Sequence, residues 1–138
     1  MPPVPALLSP RVQAALAELA REDSVPVAIA GDCMAPAVAG GSVAAVRAAR
    51  FYWPGDVLAF AGVDGRLVLH RLLGYRLHRG RLAFVTRGDG NPSHDFPVAP
   101  ARVLGRAVVA VPIRARLWAL ARGLAIPWRR LSPGSLPE

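Results

Sequence analysis

The sequence predicts a mainly β domain of short antiparallel strands framed by an amphipathic helix at each end. Three observations carry that expectation. Short apolar runs are punctuated by turn signals at Pro54-Gly55, Asp64-Gly65, Arg79-Gly80 and Gly88-Asp89-Gly90-Asn91-Pro92. Helical spacing of apolar residues is confined to the two ends. The length of 138 residues suits one compact domain with a real core and is short for two.

Taken in order, Ser9-Pro10 reads as an N-cap and first helical position, and Leu7, Val12, Leu16 and Leu19 recur at helical spacing up to Glu22-Asp23. The helix expected there covers residues 10–22. Val25-Pro26-Val27-Ala28-Ile29-Ala30 gives a short strand, placed at a sheet edge by its proline. Further strands fit Ser42–Val46, Asp56–Ala61, Arg66–Leu77, Leu82–Thr86 and Val103–Val111. After Pro112 the pattern becomes a basic amphipathic helix from Ile113 to Leu124, then a Pro/Ser/Gly tail. The organisation expected is a helix and lead-in over 1–24, a β domain over 25–111, and a basic helix with tail over 112–138.

All 17 basic residues are arginine, against 9 acidic residues, for a formal net charge of +8. The absence of lysine excludes Schiff-base chemistry, a P-loop lysine and a Ser/Lys dyad, because arginine cannot be deprotonated usefully. One cysteine excludes an internal disulfide and multi-cysteine zinc sites. Three scattered histidines add no metal-ligand spacing, so no metal or organic cofactor is expected. The basic charge gathers in the last third of the chain, which sums to +6 over residues 96–138. Without interleaved aromatics, a zinc framework or a helix-turn-helix, that charge does not point to nucleic acid. The N-terminus lacks the layout of a signal peptide, and the longest charge-free stretch, Cys33 to Val46, is 14 residues interrupted by Pro36, Gly40 and Gly41. No transmembrane helix is expected, and the location expected is cytoplasmic or peripheral to a membrane.

Chemistry concentrates in three places. Cys33 sits on a turn after the first strand, in Gly31-Asp32-Cys33-Met34-Ala35-Pro36, where a nucleophile would be exposed beside backbone N–H groups. A lone cysteine also serves as a small buried hydrophobe. His70 lies in the long strand 66–77, whose alternation puts Leu67, Leu69, Leu73, Tyr75 and Leu77 on one face and His70 with Arg66, Val68, Leu72 and Arg76 on the other. That mixed face suits a site, and imidazole is the natural base near neutrality. Asp89 and Asp95 bound a loop rich in turn residues, where each either caps its own backbone or orients His70 through Nδ1–H.

In their order along the chain, these stretches resemble the signal peptidase I superfamily, especially its lysine-free branch. The nucleophile motif Gly-x-Ser-Met-x-Pro corresponds to Gly31-Asp32-Cys33-Met34-Ala35-Pro36, and a Gly-Asp-Val-x-x-Phe segment to Gly55-Asp56-Val57-Leu58-Ala59-Phe60. The His-Arg strand corresponds to His70-Arg71-Leu72, and the Thr-Lys-Gly-Asp-x-Asn…Asp loop to Thr86-Arg87-Gly88-Asp89-Gly90-Asn91…Asp95. A weaker match is Val103-Leu104-Gly105-Arg106, and the resemblance covers about residues 25–111. Three departures stand out: cysteine replaces the family's serine, arginine replaces its lysine in the loop, and no membrane anchor is evident.

The resemblance implies a signal-peptidase-like β-fold and an endopeptidase. It assigns Cys33 to an acyl-enzyme, His70 to the general base, Asp95 to its orienter, and Asp89 to support of the loop. The substrate implied is an extended segment with small residues before the cut. One alternative is a catalytically weak or inactive relative that binds a peptide, a membrane or a partner. Another is a self-cleaving repressor-type peptidase, whose motif often reads Gly-Asp-Ser-Met but whose base is lysine. Outside the matched region, Ile113, Leu117, Leu120, Ala121 and Leu124 share one helical face. Two expectations compete for residues 113–128: the apolar face packs on the β domain, or it lies on an anionic membrane surface.

Overall fold

The computed structural model describes residues 9–28, 42–62 and 65–126. Helix α1 (Pro10–Glu22) begins as expected, with the Ser9 hydroxyl accepting from the Val12 N–H at 3.3 Å and proline in the first turn. Strands β1 (Val25–Ala28), β2 (Val43–Arg47), β3 (Val57–Ala61), β4 (Leu67–His78), β5 (Arg81–Arg87) and β6 (Val103–Ala107) follow, and helix α2 (Ile113–Ala125) ends the described chain. The protein is mainly β: the described residues form six antiparallel strands in one sheet ordered β1-β2-β6-β3-β4-β5.

The order explains the burial. β3 lies between β6 and β4 and is buried at every position, so it reads as a continuous apolar run. β1 is an edge strand, which lets Pro26 stand where its missing N–H costs no ladder bond. The β4–β5 turn places both Arg79 (φ 52°) and Gly80 (φ 76°) in the left-handed region, as a two-residue hairpin turn demands.

Two faces of the sheet carry separate cores. On one, Leu16 and Ala20 of α1 cover Val25, Val27, Val46, Leu104 and their neighbours, and farther along Leu73 and Val85 meet Ala119 of α2. On the other, Leu58, Phe60, Leu72 and Phe84 gather with Val98 and Val103. Burying α1 through Leu16 and Ala20 leaves Val12 and Leu19 exposed, although their spacing placed them on the apolar face.

Three other readings need correction. Strict alternation along β4 put Tyr75 opposite His70, but a bulge between Leu72 and Gly74 inserts one residue and resets the register. Tyr75 then pairs with Phe84 and meets its ring edge-on at 5.9 Å, on the same face as Leu72 and His70. The last strand stops at Ala107 rather than Val111: after Val108 N–H donates to Ala45 at 2.8 Å, Val109 N–H turns back to Ala107 at 3.0 Å, ending the ladder.

The third concerns α2. Its apolar face does not pack on the sheet: Ile113, Leu117, Leu120 and Leu124 are 70, 60, 45 and 74% exposed. The helix docks through Ala119 and Gly123 instead, both buried. A Cβ on Gly123 would stand 2.4 Å from the Leu73 carbonyl oxygen, so only a bare position admits so close an approach. Arg116 completes the seam, donating to buried Asp56 at 2.9 Å and to the Pro54 carbonyl at 3.2 Å. No described helix is long and apolar enough to cross a membrane.

Candidate active site

Leu58 and His70 face each other across β3 and β4, which holds the imidazole over a core-facing position with only 8% of the residue exposed. Phe60, two residues along, presents its ring at a T-shaped 6.1 Å from the imidazole and walls one side. A buried imidazole needs partners for its nitrogens. His70 Nδ1 lies 2.5 Å from Asp95 Oδ2, a charge-assisted contact at the short end of the hydrogen-bond range.

Asp95 is placed by β5. Its backbone N–H donates to the Thr86 carbonyl at 2.8 Å, and the Thr86 hydroxyl donates to Asp95 Oδ2, also at 2.8 Å. Thr86 is fully buried, so one residue fixes both the backbone and the carboxylate of the loop. A carboxylate only accepts, so Nδ1 is the donor in this contact and Nε2 is the ring nitrogen that Asp95 does not engage. Gly88 and the side chain of Asn91 stand beside Nε2: a Cβ added at Gly88 would come within 3.1 Å of Nε2 and within 2.7 Å of Asn91 Nδ2. Any side chain at position 88 would therefore press against the outer nitrogen, which a bare glycine does not.

Asp89 serves a different bond. Arg71 grips it with Nε to Oδ1 at 2.8 Å and Nη2 to Oδ2 at 2.7 Å, while Nη1 donates to the Gly55 carbonyl at 2.7 Å. This two-pronged pair ties the loop to the β3 turn from the face opposite His70, and Arg71 is only 5% exposed. Next to it, Asp56 is 2% exposed and accepts from the Trp53 N–H at 2.9 Å, Arg116 at 2.9 Å and Arg106 at 3.3 Å. These pairs hold together the β3 turn, the Asp89 loop and α2.

Of the residues singled out from sequence, His70 and Asp95 come together, and Asp89 stands one step removed through Arg71. Cys33 lies outside the described residues. His78 packs against Phe96 at 5.4 Å and takes no part in the pair. Thr86, Gly88, Arg71, Asp56 and Arg106 all lie within the matching stretches, but only the geometry gives them roles, and Arg116, outside those stretches, carries no signal in the sequence. Among the described residues, no three His, Cys, Asp or Glu side chains converge as a metal site. Comparison of the chain with family models and with curated proteins finds no match.

Proposed function

We propose that the protein is an endopeptidase of the signal peptidase I kind, with Cys33 as nucleophile, His70 as general base and Asp95 as the residue that orients the base. The observation that carries this reading is the buried His70–Asp95 pair, braced by Thr86, with a bare glycine, Gly88, beside Nε2. A histidine used only for packing does not need a braced carboxylate on one nitrogen and a bare glycine at the other. The order of the matching stretches supplies the nucleophile.

In the proposed reaction the Cys33 thiol gives its proton to His70 Nε2 as sulfur bonds to the scissile carbonyl carbon. Backbone N–H groups near Cys33 meet the oxyanion. His70 then hands the proton to the leaving amine, the C–N bond breaks, and a thioester remains. Water loses a proton to the same nitrogen and attacks the thioester carbonyl; the C–S bond breaks, the new carboxylic acid leaves, and Nε2 returns the proton to sulfur to restore the thiol. Asp95 holds the Nδ1 tautomer and stabilises the imidazolium that forms twice per cycle. A thiol suits a histidine base, being more acidic than the hydroxyl it replaces. The substrate is an extended peptide with small residues before the cut.

The test measures alkylation of Cys33 by iodoacetamide across pH, alongside cleavage of extended peptides followed by mass spectrometry. The wild type alkylates rapidly at neutral pH, His70→Ala slows toward an unperturbed thiol of pKa about 8.5, and Cys33→Ala does not cleave. Asp95→Asn lowers the single-turnover rate in a folded protein, whereas Asp89→Asn lowers stability. Wild-type alkylation with the pH profile of a free thiol, unchanged in His70→Ala, would remove the base from the proposal. A larger rate loss in folded Asp89→Asn than in Asp95→Asn would reverse the assignment of the two carboxylates.

A further inference from the structure

A helix whose fully buried residues are an alanine and a glycine, with Trp118 only partly covered, and which holds four large aliphatic side chains in water is oriented against the hydrophobic effect. In α2 the docking seam of Ala119 and Gly123 is fixed by the close approach to Leu73 and by the Arg116–Asp56 bond. The exposed aliphatic residues lie on the flank roughly a third of a turn from that seam, at about 100° per residue. Leu120 and Ile113 are next to Arg116 on the helix surface, so the apolar flank adjoins whatever Arg116 adjoins.

Arg116 adjoins an open depression of about 450 Å³, lined by Arg47, Arg106, Arg116, Asp56 and the segment 107–111. Three guanidinium groups share it with one carboxylate. Asp56 is buried and engaged by two of them, which leaves a surplus of two positive charges. Val108, on the same segment, is 63% exposed and leads directly to Ile113. α2 begins at this rim with no side chain capping its first turn, so its unsatisfied N–H groups add to the positive field. The sequence carries no acidic residue from 96 to 137 to offset it.

We infer that this side of the protein docks on an anionic membrane, with lipid phosphates entering the depression of Arg47, Arg106 and Arg116 and acyl chains meeting the exposed flank of α2. The two halves of the surface select the occupant together. A second copy of a chain with net charge +8 would set the same arginines against each other across a two-fold axis. Nucleic acid offers phosphates but no acyl surface for four aliphatic side chains. An anionic bilayer offers both at the depth an interfacial helix reaches.

The full chain is tested by sedimentation with sucrose-loaded vesicles, one set of phosphatidylcholine and one with a third of it replaced by phosphatidylglycerol. Binding is expected to the anionic vesicles at low salt and is expected to weaken steeply as salt screens the charge. Leu117→Asn with Leu124→Asn, both on exposed positions, reduces affinity about tenfold or more while leaving the thermal midpoint unchanged. Arg47→Gln reduces it by about fivefold. Equal sedimentation of the wild type and the leucine double variant overturns the proposal, as does failure of the wild type to bind anionic vesicles. A dimer seen by light scattering in the wild type and lost in the double variant would assign the flank to a second copy instead.

Discussion

Thr86 offers a direct measure of how firmly the His70–Asp95 pair is held. Thr86→Val keeps the shape of the side chain and removes only the hydroxyl that donates to Asp95 Oδ2 at 2.8 Å. A hydrogen bond to an ionised group contributes about 1.5–3 kcal/mol. The position is fully buried, so the added methyl recovers up to about 0.8 kcal/mol of transfer free energy. The net loss expected is about 1–2 kcal/mol, or a fall in Tm of roughly 3–10 °C for a domain of this size. Urea unfolding followed by circular dichroism gives the first quantity, and calorimetry the second. Thr86→Ser, which keeps the hydroxyl and removes a methyl, separates bonding from packing. Combining Thr86→Val with Asp95→Ala should cost less than the two single changes added together, because the second variant has no carboxylate left to lose the bond. A loss under about 0.5 kcal/mol, or strict additivity in that cycle, would show that Thr86 does not brace Asp95 and that the pair is set by other contacts.

Gly123→Ala should destabilise the protein by about 1–3 kcal/mol, since the new Cβ would fall 2.4 Å from the Leu73 carbonyl oxygen and lift α2 off the sheet; denaturant unfolding and tryptophan fluorescence from Trp118 report both effects. Tyr75 donates its hydroxyl to the Tyr52 carbonyl, and burial, followed by the charge of Asp56, raises its pKa above 10.0. The protonated phenol is therefore favoured in the folded state: its stabilisation is complete below pH 10 and disappears as pH rises through the higher folded-state value. Tyr75→Phe should flatten this alkaline loss of stability, and a wild-type-like decline in the variant would place its origin elsewhere.

The fold class and most element boundaries were legible because turn chemistry is local. Arg79-Gly80, Pro54-Gly55 and the Ser9-Pro10 cap each act within a few residues, and the strands they bound differ from expectation by about one position. What escaped the sequence was tertiary. The bulge between Leu72 and Gly74 shifts Tyr75 to the other face; Gly74, an isolated glycine within a strand pattern, is the local sign of it, but strict alternation passes over that sign. The orientation of α2 ran against its own amphipathic pattern, because a buried aspartate across the fold captured Arg116 and a glycine allowed contact where leucines could not. The pairing of His70 with Asp95 was expected through resemblance. The separate pairing of Asp89 with Arg71 required geometry, since both carboxylates belong to one loop and either spacing could have reached the imidazole.

The strand order also sets a timetable. β6 is the last described strand in the chain, yet it lies between β2 and β3 and is the only described strand joining the β1–β2 ribbon to the β3–β4–β5 meander. Before residues 103–107 emerge, the nascent chain can form those two ribbons separately, one continuing toward the Cys33 segment and the other carrying His70 and Asp95. The insertion of β6 is a long-range closure that joins them late in folding. His70 and Asp95 are thus brought together by one local hairpin and the loop after it, whereas the β1–β2 ribbon joins them only once the last described strand is in place.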